Sequence, residues 1–248
     1  MNILAVETTG TAASAAIIKE DGQVFSRRSE RTLSHLQNLI PMIGELLEDC
    51  NLKPEELTAI AVSEGPGSFT GIRIGVATVR ALSQALGLPC ISVPTLRSFA
   101  YNYKNSEDLL CPVLDARRNQ VFAGAYYWEN GICVQAVSDK AYDPEEFTAL
   151  AEAEARQLGK KVRILEEGEQ SAAAVSALAL DLWKSGKTLG FEELRPVYLR
   201  QAEAERKLQE RLAREAELQT SGRDTGEEAG AAGGLKEQKM QNDGGVKA

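Results

Sequence analysis

Glu64-Gly65-Pro66-Gly67-Ser68-Phe69-Thr70-Gly71-Ile72-Arg73-Ile74-Gly75 joins an apolar run, Thr58 to Ser63, to a stretch of helical periodicity, Ile72 to Leu86. The run is short and bounded by turn residues, so it reads as a buried strand. Ile72, Val76, Val79, Leu82 and Leu86 mark one apolar helix face, Ala77, Ala81 and Ala85 form a small-residue stripe on another, and Gly87 and Pro89 close the element. The glycines between strand and helix permit a tight turn and close backbone approach, and Ser68 or Thr70 can cap the helix. Amides at a helix N-terminus favour anions, which leaves a phosphate cradle open beside a plain structural turn. The spacing G-x-G-x-x-x-G is neither the dinucleotide fingerprint nor a Walker loop, and no Lys-Ser/Thr pair follows.

Working outward, Ile3 to Val6, Ala12 to Ile18 and the run through Val24 and Phe25 are separated by Gly10 and Gly22 and predict three consecutive antiparallel strands. Leu33, Leu36, Leu39, Ile40, Ile43, Leu46 and Leu47 then predict a helix ending near Cys50, with a kink at Pro41. Cys90 to Val93 supplies another strand. Strands followed by alternating helices and strands predict an α/β lobe with a mixed sheet. A similar opening returns at Cys111 to Asp115, where Pro-Val-Leu-Asp115 echoes Leu-Ala-Val-Glu7. Strands at Val121 to Tyr127, Ile132 to Val137 and Val162 to Leu165 follow, with helices at Pro144 to Leu158 and Ala172 to Lys184. The expected division is a first lobe over 1–103, a second over 104–200 and a tail over 201–248. The tail lacks Phe, Tyr, Trp, Ile and Cys and cannot build a core; a charged helix to Leu218 and disorder beyond it are expected.

Composition removes several classes of function. The 248 residues are 43% hydrophobic and 26% charged, ordinary for a globular chain. No segment has the apolar length of a membrane span, and Met1 runs into Asn-Ile-Leu-Ala-Val without a secretory leader, so a cytoplasmic protein is expected. Cys50, Cys90, Cys111 and Cys133 form no CxxC pair, which predicts reduced thiols. A net charge of -8 repels a phosphate backbone, so tRNA or other nucleic acid would be met only indirectly. With a single histidine, His35, a two-histidine zinc helix cannot be built, and no metal site is expected.

The hairpin Glu7-Thr8-Thr9-Gly10-Thr11 offers an acid, hydroxyls and a glycine, which suits either phosphate with magnesium or a plain turn. The helix after the glycine turn, together with Leu36, Ile40 and Ile43, can supply the roughly 1,000 Å² that a specific protein interface requires.

These segments carry a resemblance. Ile3-Leu-Ala-Val-Glu-Thr-Thr9, His35-Leu-Gln-Asn-Leu-Ile-Pro-Met42, Gly65 to Gly75, Pro94-Thr-Leu96 and Leu114-Asp-Ala-Arg117 resemble the TsaB family, also called YeaZ, over residues 2 to 200. The resemblance implies an α/β, two-lobe ASKHA fold of the actin, sugar-kinase and Hsp70 type, with a reduced second lobe. It implies a non-catalytic accessory subunit of tRNA threonylcarbamoyladenosine synthesis, in which the partner TsaD carries the metal and TsaE is a P-loop ATPase. No cofactor is then expected on this chain, and no residue is catalytic. The expected partner face is Leu36, Leu39, Ile40, Ile43, Phe69, Arg73, Ile74, Ala77 and Ala81, which would also form a homodimer when TsaD is absent. Glu7, Thr8, Thr9 and Asp115 are the expected vestigial nucleotide site. Two features depart from the family: it commonly has Asp where Glu7 stands, and the tail has no counterpart. The alternatives are an ATP-dependent kinase-like transferase using Glu7, Thr9 and Asp115 around magnesium, or a peptidase using His35, the activity that older glycoprotease labels suggest.

Overall fold

The three opening apolar runs form β1 (Asn2–Glu7), β2 (Ser14–Lys19) and β3 (Val24–Arg28) in a computed structural model. The structure describes residues 1–29, 35–166 and 168–199, with the side chains of 35–37 outside the description. The chain divides into a unit of Met1–Arg200 and a unit of Gln201–Ala248; the tail readings fall in the latter, outside the described residues.

After β3 come α1 (His35–Asp49), β4 (Ala59–Gly65), α2 (Phe69–Leu86), β5 (Cys90–Pro94) and α3 (Thr95–Ala100). Pro41 lies inside α1 without ending it. The first sheet has the order β3-β2-β1-β4-β5, with β1 antiparallel to β2 and parallel to β4. A second sheet takes β6 (Leu109–Asp115), β7 (Val121–Glu129), β8 (Ile132–Tyr142) and β9 (Val162–Leu165) in the order β8-β7-β6-β9. Between β8 and β9 runs α4 (Pro144–Leu158), and α5 (Ala172–Lys184) follows β9. The fold is mixed α/β with two sheets.

Alternation along the central strands explains the layering. Ile3, Ala5, Ala59 and Ala61 point into one core, while Leu4, Val6, Ile60 and Val62 point into another. A strand buried on both faces reads as one continuous apolar run, as these do. The alanines on the inner face, met by Ala174 and Ala179, let α5 lie close against the first sheet. In the same core Leu96, Phe99 and Ala100 of α3 pack on Leu110, Leu114, Tyr126 and Trp128 of the second sheet, so the helix that follows each sheet's last strand packs on the other sheet. Polar anchors fix this layer: the Trp128 indole donates to the Ala100 carbonyl at 3.1 Å, and the Tyr101 hydroxyl donates to Asp181 at 3.0 Å. The outer face of the first sheet is covered by α1 and α2, and that of the second by α4 through Phe147, Ala151 and Ala155.

Candidate functional site

The two glycine-containing motifs, read separately in the sequence, meet in space. Gly67 and Gly71 lie against the first hairpin: a side chain on Gly67 would come within 2.6 Å of Thr9 Cβ, and one on Gly71 would run into the Thr8 carbonyl. The Ser68 amide donates to the Thr9 carbonyl at 2.8 Å, and the Thr8 hydroxyl donates to the Gly71 carbonyl at 2.7 Å. Ser68, rather than Thr70, caps α2, accepting from the Gly71 amide at 3.2 Å. The glycines thus serve close backbone packing on Thr8 and Thr9.

Glu7 ends β1 at 0% exposure. One carboxylate oxygen accepts from the Thr9 amide at 2.5 Å and the Thr9 hydroxyl at 2.6 Å; the other accepts from the Ser63 hydroxyl. Burial raises its pKa above the ordinary carboxylate value, and the hydrogen bonds from Ser63, Thr9 and Gly10 offset only part of that. Above the hairpin sits Gln170, 2% exposed, with its carboxamide within about 3 Å of where a Gly10 side chain would begin. Its Oε1 accepts from the Gly168 amide at 2.7 Å. A carboxylate that is sealed, saturated with donors and inclined to hold a proton is a poor ligand for a nucleotide's magnesium, so these residues do not fit that group.

Asp115 lies elsewhere, at the end of β6 on the second sheet. It is exposed, accepts from the Arg117 amide at 2.7 Å and pairs with the Arg117 guanidinium at 3.1 Å. The structure therefore joins Glu7, Thr8 and Thr9 to Ser63 and Gln170, and gives Asp115 a separate set of partners. Among the described residues no group of three or more His, Cys, Asp or Glu side chains could hold a metal. All four cysteines are free and buried, and burial pushes the Cys111 thiol up to about 12.

The expected partner face divides. Leu39 and Ile43 are buried against the first sheet, because they belong to the α1 stripe that covers it; they are corrected here to core residues. On the opposite side, Ile40 is 51% exposed and Phe69 is 39% exposed. Arg73, Ala77 and Ala81 are also exposed, and Ile74 is half-buried. The small-residue stripe of α2 thus faces outward, while Ile72, Val76 and Val79 face the sheet. The side chains of Leu36 and His35 lie outside the described residues.

A further acidic group went unnoticed in the sequence. Glu64 accepts from Ser92, and Asp139 accepts from the Tyr126 hydroxyl at 2.5 Å and from Gln135 at 2.9 Å. Burial raises both carboxyl pKa values.

A family model described as TsaD, tRNA N6-adenosine threonylcarbamoyltransferase, matches residues 15–222. The tRNA threonylcarbamoyladenosine biosynthesis protein TsaB of Escherichia coli (strain K12) is 31% identical over 228 residues, covering 84% of this chain and 98% of that protein. The chain belongs to the TsaB family. TsaB of Bacillus subtilis (strain 168) is 36% identical over 140 residues, covering 56% of this chain and 61% of that one, less than two thirds of its length. Among solved structures, YeaZ from Pseudomonas aeruginosa superposes with a TM-score of 0.67 at 27% identity, covering 79% of this chain and 99% of that one. A Pseudomonas aeruginosa protein described as similar to peptidase YEAZ reaches 0.70 at the same identity, with 80% and 99% coverage.

Proposed function

We propose that this chain serves tRNA threonylcarbamoyladenosine synthesis as a non-catalytic subunit that docks on a TsaD-type transferase and stabilises its active form. The contrast between a sealed Glu7 and an open α1/α2 face carries this reading. A catalytic acid must reach a ligand, whereas Glu7 is fully buried and accepts from Ser63, Thr9 and Gly10. Gln170 over Gly10 supports the same conclusion from the other side of the hairpin. The second sheet, one strand shorter than the first, is the reduced lobe of an ASKHA pair divided near 103. ATP and metal belong to the TsaD and TsaE components, tRNA is met through the complex, and the setting is the cytoplasm. No helix among the described residues is long and apolar enough to cross a membrane, in keeping with that setting. When TsaD is absent, the same face pairs two copies of the chain.

Association is driven mainly by apolar burial around Ile40, Phe69, Ile74, Ala77 and Ala81, at roughly 25 cal/mol per Å² before association costs. Titration of TsaD with the Ile40→Asp chain tests it. Ile40 is half in solvent, so the substitution leaves the fold intact. Affinity should fall by about thirtyfold or more. Unchanged affinity removes the docking model, and micromolar Mg-ATP binding by the isolated chain returns it to the transferase class.

A further inference from the structure

The last described segment of the unit crosses back to the α2 end of the docking face. Leu189 and Cys90 exchange backbone hydrogen bonds at 2.8 and 3.0 Å, and Leu194 is buried in the outer core of the first sheet. The Val197 amide donates to the Glu64 carbonyl at 2.8 Å. Gly65 makes room for this crossing, since a side chain there would strike the Val197 carbonyl. One residue on, the Tyr198 ring lies 4.9 Å from that of Phe69, with the planes at 32°.

Arg73, one helical turn after Phe69, lies over the Phe69 ring with its guanidinium carbon 3.9 Å from the centroid. Its Nε–H donates to the Tyr198 hydroxyl at 2.9 Å. Both rings remain more than a third exposed, at 39% and 38%. Among the described residues, the two terminal nitrogens of Arg73 have no hydrogen-bond or ion-pair partner. An arginine left free on a surface samples many rotamers; one stacked on a ring and tied at Nε has spent that freedom already, and keeps its two terminal nitrogens as a fork.

We infer that Phe69 and Tyr198 hold Arg73 ready for a carboxylate of the partner protein, which makes the chain's 189–199 segment a part of the docking face. This rests on the docking reading above. Charge favours an anionic group: α2 carries Arg73 and Arg80 and no acid, within a chain of net charge -8. The surroundings favour protein over RNA. A phosphate backbone is held by several spaced cations, whereas α1 contributes no Lys or Arg and three acids, Glu45, Glu48 and Asp49. Half-buried Ile74 and exposed Ala77, on the same helix as the aromatic and arginine pair, give it the composition of a protein interface centre, and a guanidinium takes a carboxylate through two parallel hydrogen bonds. Tyr198 is then a positioning residue, acting through Arg73.

Binding of the TsaD-type partner, measured by surface plasmon resonance at two salt concentrations, tests the inference. Arg73→Ala should weaken binding by about thirtyfold or more, and Arg73→Lys should recover little of it, since an ammonium cannot fork. Tyr198→Phe keeps the ring and loses only the hydroxyl, so it should speed dissociation by a few-fold, with Tyr198→Ala faster still. Circular dichroism confirms that each variant is folded. Wild-type binding by Arg73→Ala alongside loss in Ile40→Asp overturns the fork and spares the docking face. Wild-type binding by both overturns the face and the fork with it. If Arg73→Ala binds the partner normally and weakens only tRNA binding by the complex, the anion is a phosphate and the carboxylate assignment is wrong.

Discussion

The two sheets begin alike and end differently. In each, the first strand pairs antiparallel with the second and parallel with a later one: β1 with β2 and β4, β6 with β7 and β9. The first sheet then continues through α2 to β5, while the second stops at β9 and sends α5 back into the shared core. The acid closing the first strand is sealed at Glu7 and in solvent at Asp115. Glu7 has hydroxyl donors on Thr9 and on Ser63 of the neighbouring β4; Asp115 is met by Arg117 from its own turn. Equivalent backbone positions therefore do not give equivalent chemistry. What decides it is whether the adjacent strand and loop supply a cover, and among the described residues the first sheet has one at Glu7 while Asp115 stays exposed.

The largest effect that would sharpen this comparison is expected in the core the sheets share. Phe99→Ala removes a ring of 0% exposure between them and should cost about 3–5 kcal/mol, with amide protection falling in both sheets together. Loss confined to one sheet would show them to be independent bodies. The paired acids come next. Glu7→Ala leaves the Thr9 and Ser63 donors buried without an acceptor and should cost about 1–3 kcal/mol, while Asp115→Ala breaks a solvent-exposed pair and should leave the melting midpoint unmoved. Equal costs would erase the distinction drawn between the two strand ends.

A smaller effect concerns pH. Burial raises the folded pKa of Glu7 above its ordinary value of 4.5, so between 4.5 and the raised value the folded chain holds more protons than the unfolded one. Stability contributed by this group therefore falls as pH rises through that window. Glu7→Gln, which keeps an acceptor for Thr9, should flatten the slope of stability against pH measured by urea unfolding. Glu64 and Asp139, raised by burial as well, keep part of the slope in place. An unchanged slope in a folded Glu7→Gln chain would show that the sealed acid does not carry it.

Local signals made much of the fold legible. The bounds of α4 follow from Asp143, which accepts from the Glu145 amide at 2.9 Å, from Pro144 in the first turn, and from Gly159 at a φ of 65°. Ser171 marks the start of α5 in the same way, accepting from Ala174 at 3.2 Å. β8 extends to Tyr142 rather than Val137: Ser138, Asp139 and Lys140 look like turn residues, yet pairing with β7 resumes at Lys140 after a shift in register. α3 is six residues, five of them buried, too short for periodicity to reveal.

The site was less legible, since its contacts span the chain. Ser63 lies 56 residues from Glu7, and Tyr198 lies 125 from Arg73. The one available clue was Ser63 itself, a hydroxyl ending a buried apolar strand, which must find a partner. Leu39 and Ile43 were misplaced for a simpler reason: an apolar stripe says which residues share a face, and only packing says whether sheet or solvent lies beyond it.

Formation of threonylcarbamoyl-tRNA by a reconstituted TsaD, TsaE and TsaB-family mixture separates a docking subunit from a chemical one when two variants of this chain are compared. Glu7→Gln should support product formation at close to the wild-type rate, and Ile40→Asp should lose product and TsaD binding in parallel. Full activity from Ile40→Asp, together with loss of turnover in a folded, TsaD-bound Glu7→Gln, would contradict the docking role and return Glu7 to the reaction.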